Sequence, residues 1–484
     1  MQRLALIALV MPAMALASPQ PVALVQQQGL QQQVEAKLRE AGPGTRFGLV
    51  VASLDGKELV AIAPDQRFIP ASNTKIFTTA AAFEMMNGLD EPDAMAGALV
   101  RFEAGSRGAP DVVLEGRGDA RLSSAPDCIA NCLAALADAV AAKTRRVRNV
   151  IGDDRFLPDE RWSQGMSWNN IATRSGTALS ALTLDDNELA LRVTPGEPGK
   201  APAIMVADYF TVDNEALTVA DGETDLAIAR LPGSTVVHLT GTIRTGAEME
   251  LIRLGIDDPA HYAAWRFRRM LEERGVRVLG RVAARHRPSV PDMSDAAGQA
   301  TETTNSLAAV IPGPLAEDIR TINKSSQNVH AELLLRRVGL QRGPGTAESG
   351  IEAIRAMLDQ AGVPPHAYHL ADGSGMSTYN RASPRGMVAL LRWIAGRPWG
   401  SAWRATLPIG GIDGTLARRF RGTTLRGRVF AKTGSLNATN ALAGYMIARS
   451  GRTLAFAFFA NDVPEGVRAT EAMDTALELI AQAH

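Results

Sequence analysis

Apolar residues recur at helical spacing over residues 23–41, after which the pattern switches to two strand-like runs, 47–53 and 58–63. They flank Leu54-Asp55-Gly56-Lys57, and an Asp-Gly between two apolar runs is a strong hairpin signal. After Pro70, residues 71–83 are apolar on nearly every side, the pattern of a buried helix. The far end of the chain mirrors this order. Residues 429–431, 441–448 and 453–461 read as three strands, with Ser450-Gly451 as one turn, and 468–481 as a closing helix. The simplest topology is one antiparallel sheet built from both chain ends, with the terminal helices on one face. Between them, over residues 91–304, the texture changes to short β-like runs (111–114, 189–194, 235–240) separated by Gly, Pro and Asp, with one helical run at 261–274. This middle reads as one or two inserted domains in a multidomain α+β protein. The flanks, 18–90 and 305–484, then form the two parts of a single domain.

The first residues read as an address. Arg3 precedes a short apolar stretch that ends in Ala15-Leu16-Ala17, a small-x-small cleavage site, so residues 1–17 are expected to be a signal peptide cleaved near Ala17. They contain no Cys to carry a lipid, and no later apolar run reaches the ~18 residues needed to span a bilayer. The 484 residues carry 51 basic and 51 acidic side chains, a balance that argues against a nucleic-acid partner. Export permits a disulfide between the two cysteines, Cys128 and Cys132, whose spacing suits one helical turn; two free buried thiols are the alternative. Two thiols without a nearby His do not complete a zinc site, and His366 and His369 lack a third ligand, so no metal is expected.

Several catalytic schemes are absent from the sequence. No Ser stands in a Gly-x-Ser-x-Gly frame, and there is no His-Glu-x-x-His or Walker A loop. What is present is Ser72-Asn73-Thr74-Lys75, where helical spacing makes the hydroxyl and the amine neighbours. A neutral Lys can take the proton that makes Ser a nucleophile, and burial is one way to neutralise it. Lys75 is one of only seven Lys in a chain with 44 Arg, and Arg cannot serve as such a base. A second element, Lys432-Thr433-Gly434-Ser435, follows the apolar strand 429–431, where a cation beside a side-chain-free Gly suits a carboxylate-bearing peptide laid along the edge. The third is Ser326-Gln327-Asn328. Ser-x-Asn also occurs at Ser167-Trp168-Asn169 and Ser435-Leu436-Asn437, but only the copy at 326 opens a helix between the other two elements.

In that order the three elements resemble the signature of penicillin-recognising serine enzymes. The long gap from Ser72 to Ser326, against the shorter one from Asn328 to Lys432, resembles the class C low-molecular-mass penicillin-binding proteins. Further matches are Gly116-Arg117-Gly118-Asp119, Ser180-Ala181-Leu182, Asp372-Gly373-Ser374-Gly375, Asp413-Gly414-Thr415 and Asn440-Ala441-Leu442. The resemblance implies a five-stranded antiparallel sheet with helices, carrying a large insertion. It also implies a periplasmic D-Ala-D-Ala carboxypeptidase/endopeptidase that acts on peptidoglycan peptides, is acylated by β-lactams and needs no cofactor. Carried over, Lys75 deprotonates Ser72, the N–H groups of Ser72 and Ser435 hold the oxyanion, and Ser326 relays a proton to the leaving amine. Asn328 orients the substrate, while Lys432, with Thr433 and Gly434, binds its carboxylate and helps depress Lys75. A β-lactamase or esterase on the same scaffold and a non-catalytic envelope scaffold are the alternatives. Two departures stand out: Gln327 where the family usually has Asp, and 308–314, which lacks the usual His/Ser/Pro-rich character.

Overall fold

Five antiparallel strands drawn from opposite ends of the chain make the sheet on which everything else is hung. The computed structural model describes residues 22–105, 108–288 and 306–484; the expected signal peptide, 1–17, lies outside them. Strands β1 (Arg46–Ser53) and β2 (Glu58–Ile62) form the hairpin, and β3 (Val429–Leu436), β4 (Thr439–Ile447) and β5 (Thr453–Asn461) form the meander. Their order is β3-β4-β5-β1-β2, with β1 and β5 paired in register from Arg46↔Asn461 to Ser53↔Leu454. Gly56 takes φ +107° in the hairpin turn, a conformation that Gly adopts without steric cost, and Ala63 at φ +43° ends β2 one residue earlier than the sequence pattern does.

The run Leu454–Ala460 is apolar on both faces because both faces are covered. Phe456 and Phe458 point into one core, shared with helices α1 (Val22–Arg39) and α7 (Ala469–Ala483). In α1 the contacts come from Leu30, Val34 and Leu38, four residues apart and so on one face. Phe459 and its neighbours Ala455 and Ala457 point into the other core. That core is filled by α2 (Thr74–Met85), α3 (Leu315–Lys324), α4 (Asn328–Gly339), α5 (Ala347–Gln360) and α6 (Pro384–Ala395). All of α2 from Thr74 to Ala82 is buried, as its all-round apolar pattern requires.

The middle of the chain has its own core. A mixed five-stranded sheet runs Val282–Arg287, Val150–Pro158, Asp111–Gly116, Ala98–Glu103, Ala308–Val310, and the helices Leu133–Lys143 and Pro259–Glu273 pack with it. Asp258 caps the second helix by accepting from His261 N–H at 2.9 Å, and Pro259 occupies its first turn. Smaller sheets fill residues 188–255. The strand Ala308–Val310 belongs to this body's sheet, so a cut at 304 would separate it from its partner Ala98–Glu103.

Two local expectations are corrected. Cys128 and Cys132 do form a disulfide, but in the loop ahead of helix Leu133–Lys143, with Cys132 at the N-cap; the bend at Asn131 (φ +56°) brings them together rather than a helical turn. Strand β3 does not stop at Ala431 but continues through Lys432 to Leu436, because β4 pairs with it across the polar residues as well.

The lead-in to α2 depends on one close contact. Phe68 stacks on Phe459 at 6.0 Å and lies over Gly48, where an added Cβ would come within 2.3 Å of the ring. Gly48→Ala should therefore displace Phe68 and destabilise the protein by about 1–3 kcal/mol, the usual range for overpacking, read as a lowered midpoint of thermal unfolding. An unchanged midpoint would show that the ring has room to move.

Candidate active site

Ser72 lies on a 3-10 turn, Ala71–Asn73, that runs directly into α2. The turn starts with Ala71 at φ +46°, and Gly375 packs so closely that a Cβ there would sit 1.9 Å from the Ala71 carbonyl oxygen. Three residues on, Lys75 Nζ lies 3.0 Å from Ser72 Oγ, 2.7 Å from Asn328 Oδ1 and 2.6 Å from the Ser374 carbonyl. Lys75 is wholly buried. Burial brings its pKa down to about 7, against the opposing pull of the Asp372 and Glu332 carboxylates. Near neutral pH the amine therefore carries a free lone pair in a substantial fraction of molecules, and Ser72 O–H can donate to it.

Those carboxylates shape the loop that receives Lys75. Glu332, one turn along α4 from Asn328, accepts from Gly373 N–H at 3.0 Å and Ser374 N–H at 2.8 Å, and Arg336 pairs with its second oxygen at 2.7 Å. Asp372 accepts from Gly375 N–H, Ser377 N–H and the Asn380 amide. Burial and then Glu332 lift Asp372 to about 6 despite those bonds.

The second element sits between α3 and α4. Ser326, at φ +61°, accepts from Lys432 Nζ at 2.8 Å. Asn328 opens α4; its carbonyl oxygen takes Lys75 and its amide donates to the Ser175 carbonyl at 3.0 Å, a residue of the middle body. Gln327 points away from this pocket: its oxygen caps Asn328 N–H at 2.9 Å and its amide donates to Asp186 at 2.9 Å.

The third element lies on β3, the edge strand. Lys432 is wholly buried and also donates to the Thr433 carbonyl at 2.9 Å. Burial first, and then the neighbouring Lys75, hold its pKa well below the usual lysine range. Burial is the largest cause of the depression at both amines, and the two lie in one site. At Gly434 a Cβ would lie 2.7 Å from the Pro70 carbonyl, so only Gly lets β3 approach the Ser72 turn this closely. Asn73 ties the two together, donating to the Lys432 carbonyl at 2.7 Å and accepting from Ala443 N–H at 3.2 Å. Thr433 Oγ1 donates to Thr415 Oγ1 at 2.7 Å, Lys324 pairs with Asp413 nearby, and Ser435 is exposed at the rim.

All eight residues anticipated at the site, Ser72, Lys75, Ser326, Asn328 and Lys432 to Ser435, thus lie on the three elements that meet here. Glu332, Asp372 and the carbonyls of Ser374 and Ser175 were missed. Asp372 and Ser374 stood in the Asp372-Gly373-Ser374-Gly375 match without a role, and Glu332 left a trace as an acid in the apolar run Ala331–Leu335. Among the described residues no cluster of three or more His, Cys, Asp or Glu is placed to hold a metal, and His366 and His369 are both exposed.

The family model for the D-Ala-D-Ala carboxypeptidase 3 (S13) family matches residues 30–482. A D-alanyl-D-alanine carboxypeptidase of Actinomadura sp. (strain R39) is 33% identical over 455 residues, covering 89% of this chain and 81% of that one. The D-alanyl-D-alanine carboxypeptidase DacB of Haemophilus influenzae is 25% identical over 443 residues, 87% of each chain. The crystal structure of penicillin-binding protein 4 from H. influenzae shares the fold, with a TM-score of 0.76 at 21% identity over 92% of this chain and 97% of that one. With the three elements converging on one buried pair of lysines, the chain belongs to the D-Ala-D-Ala carboxypeptidase 3 (S13) family, as a serine-type D-Ala-D-Ala carboxypeptidase of the low-molecular-mass class C penicillin-binding proteins.

Proposed function

We propose that Ser72 is the residue acylated and that Lys75 is the base that activates it. The observation that carries this is the 3.0 Å contact between Ser72 Oγ and a buried amine whose pKa is brought to about 7. Neutral Lys75 takes the hydroxyl proton as Ser72 attacks the carbonyl of the D-Ala-D-Ala bond. The N–H groups of Ser72 and Ser435 stabilise the oxyanion, each worth ~3 kcal/mol where such donors have been removed from a comparable hydrolase. Ser326 passes a proton to the leaving amine, drawing on Lys432 at 2.8 Å. Asn328 orients the substrate amide, and Thr433 and Gly434 present the strand edge along which the peptide lies. An arriving substrate carboxylate favours the charged form of Lys432, offsetting the burial that otherwise holds its pKa down. Water then releases the acyl group. The substrates on this reading are peptidoglycan stem peptides and cross-links, and β-lactams are covalent inhibitors of Ser72.

The reading extends to location and domain plan. Export to the periplasm with cleavage near Ala17 follows from the address at the N-terminus; among the described residues no helix is long and apolar enough to cross a membrane. The span from about 91 onward is an insertion into the catalytic domain. The pairing of Ala308–Val310 with Ala98–Val100 supports a far boundary a few residues beyond 304.

Mass spectrometry after treatment with benzylpenicillin should find one adduct per chain, on Ser72; a second labelled residue, or Ser72 left free, would refute the assignment. Because the neutral amine is the reactive form, the acylation rate should fall about tenfold per pH unit below 7 and level off above it. A flat profile from pH 5 to 8, measured with a fluorescent penicillin, would rule Lys75 out as the base. Lys75→Arg keeps a cation but removes the base, so acylation should drop by about 10⁴-fold or more, the top of the range for general-base assistance. Lys432→Arg loses only geometry and should retain clearly more activity; equal losses in two folded variants would contradict this division of roles.

A further inference from the structure

His330 is used by nothing so far described, yet it is buried two residues beyond Asn328 on α4 with a carboxylate at each ring nitrogen. Nδ1 meets Asp318 Oδ1 of α3 at 2.5 Å, and Nε2 meets Asp186 Oδ1 of the insertion at 2.8 Å. An imidazole has a donor at both nitrogens only when protonated, so two carboxylate partners require the cation. Burial opposes that charge, but Asp318 and Asp186 outweigh it and raise His330 to about 10. The wider surroundings are Arg121, Arg337 and Asp119 around Asp318, and Arg174 near Asp186.

Asp186 stands in an unusual segment. Asp185, Asp186 and Asn187 all have left-handed backbones, with φ of +50°, +57° and +53°, although none is Gly. Such a run persists only where its surroundings over-determine it. Here Asp185 accepts from Ser123 Oγ, Ser124 N–H and Ser124 Oγ at 2.6 to 3.0 Å, and Asn187 bonds Leu184 N–H and the Ala178 carbonyl. The strained turn holds Asp186 outward from the insertion. One of its oxygens takes His330 and the other takes the Gln327 amide at 2.9 Å. Gln327 is flanked by Ser326 and Asn328, whose side chains touch Lys432 and Lys75.

We propose that His330 is a positioning residue for acyl transfer: as an imidazolium shared by Asp318 and Asp186, it fastens the 185–187 turn of the insertion to the Ser326–Asn328 turn and thereby sets the reach of Ser326 and Asn328 to the two lysines. The inference rests on the acyl-transfer reading of the site. It assigns the insertion a share in catalysis that a separate binding domain would not have. Gln327 acquires a purpose as well, since an Asp at that position would set a second carboxylate against Asp186 instead of a donor.

The test uses the full chain, a fluorescent penicillin and ¹⁵N-histidine NMR. In the native protein at pH 8, His330 should be doubly protonated, whereas an ordinary His is neutral there; a neutral ring at pH 8 overturns the proposal. Asp186→Ala should slow second-order acylation about tenfold while still reaching one label per chain, with a larger loss for His330→Ala. Asp186→Asn, its oxygen kept for His330, turns an NH2 donor toward the Gln327 donor and should slow acylation comparably. The swap Asp186→Asn with Gln327→Glu restores a donor–acceptor pair and should recover most of the rate, which a merely loosened fold would not do. Rates within twofold of wild type in folded Asp186→Ala, or no recovery in the swap, overturn the proposal. If Asp186→Ala or His330→Ala does not fold, the swap and its parent decide. Failure of the wild-type protein to label Ser72 would instead refute the acyl-transfer reading, so the two failures are distinguishable.

Discussion

Two primary amines buried in one site are the constraint on which the rest of this structure depends. Neither Lys75 nor Lys432 reaches solvent, and a buried cation is costly unless its surroundings compensate it. The protein resolves the two unequally. Lys75 is given three oxygen neighbours and two nearby carboxylates, which stop its pKa near neutrality instead of letting it collapse. Lys432 is given a hydroxyl and one carbonyl, and burial with the neighbouring Lys75 holds its pKa well below the usual lysine range. Two lysines of one chain are thus both moved far from their ordinary proton affinity, in different company. The cost shows in the scaffold: Asp372 and Glu332 lie close together and buried, and each must be saturated by backbone donors.

Much of this was legible because it is written in short spacings. Ser72 and Lys75 are neighbours by helical geometry, Lys432 to Gly434 lie on one strand, and their order along the chain carried the family resemblance. The five-stranded sheet was legible for the same reason, since each strand is an apolar run bounded by a turn. What stayed hidden is of two kinds. The carbonyls of Ser374 and Ser175 act through backbone atoms, which no residue letter announces. The partnerships of Glu332 with residues 373–374, of Gln327 with Asp186, and of His330 with Asp318 and Asp186 are long-range, and one sequence does not pair distant polar residues. The local errors have the same origin. β3 was cut short where its residues turn polar, because the β4 ladder that sustains it is not a property of the strand itself.

The middle body is no passive appendage. Through Ser175 it completes the hydrogen bonding of Asn328, and through Asp186 it meets the turn that carries Ser326. Its own order supports this, with Ser180 bonded to Asp154, and Gly116 packed so tightly that a Cβ would lie 2.3 Å from Leu182 Cα. The two segments that carried part of the resemblance, 116–119 and 180–182, run side by side there and join at the Asp119↔Leu182 bridge.

The pairing of β1 with β5 also fixes an order of events in time. Ser53 lies opposite Leu454, so the hairpin that leads to the nucleophile must wait for roughly 400 further residues before it finds its partner, some 20–80 s at ordinary rates of synthesis. Throughout that interval the two apolar strands and the all-round apolar α2 have no sheet to cover them, while the intervening body can already close on its own core. A chain that ends before β3 lacks every contact that braces the Ser72 turn from this side, because Gly434, Asn73's partners and Asn461, which accepts from Ile69 N–H at 2.7 Å, all lie on the last three strands. The nucleophile's turn is therefore encoded early in this polypeptide and braced only by its final strands.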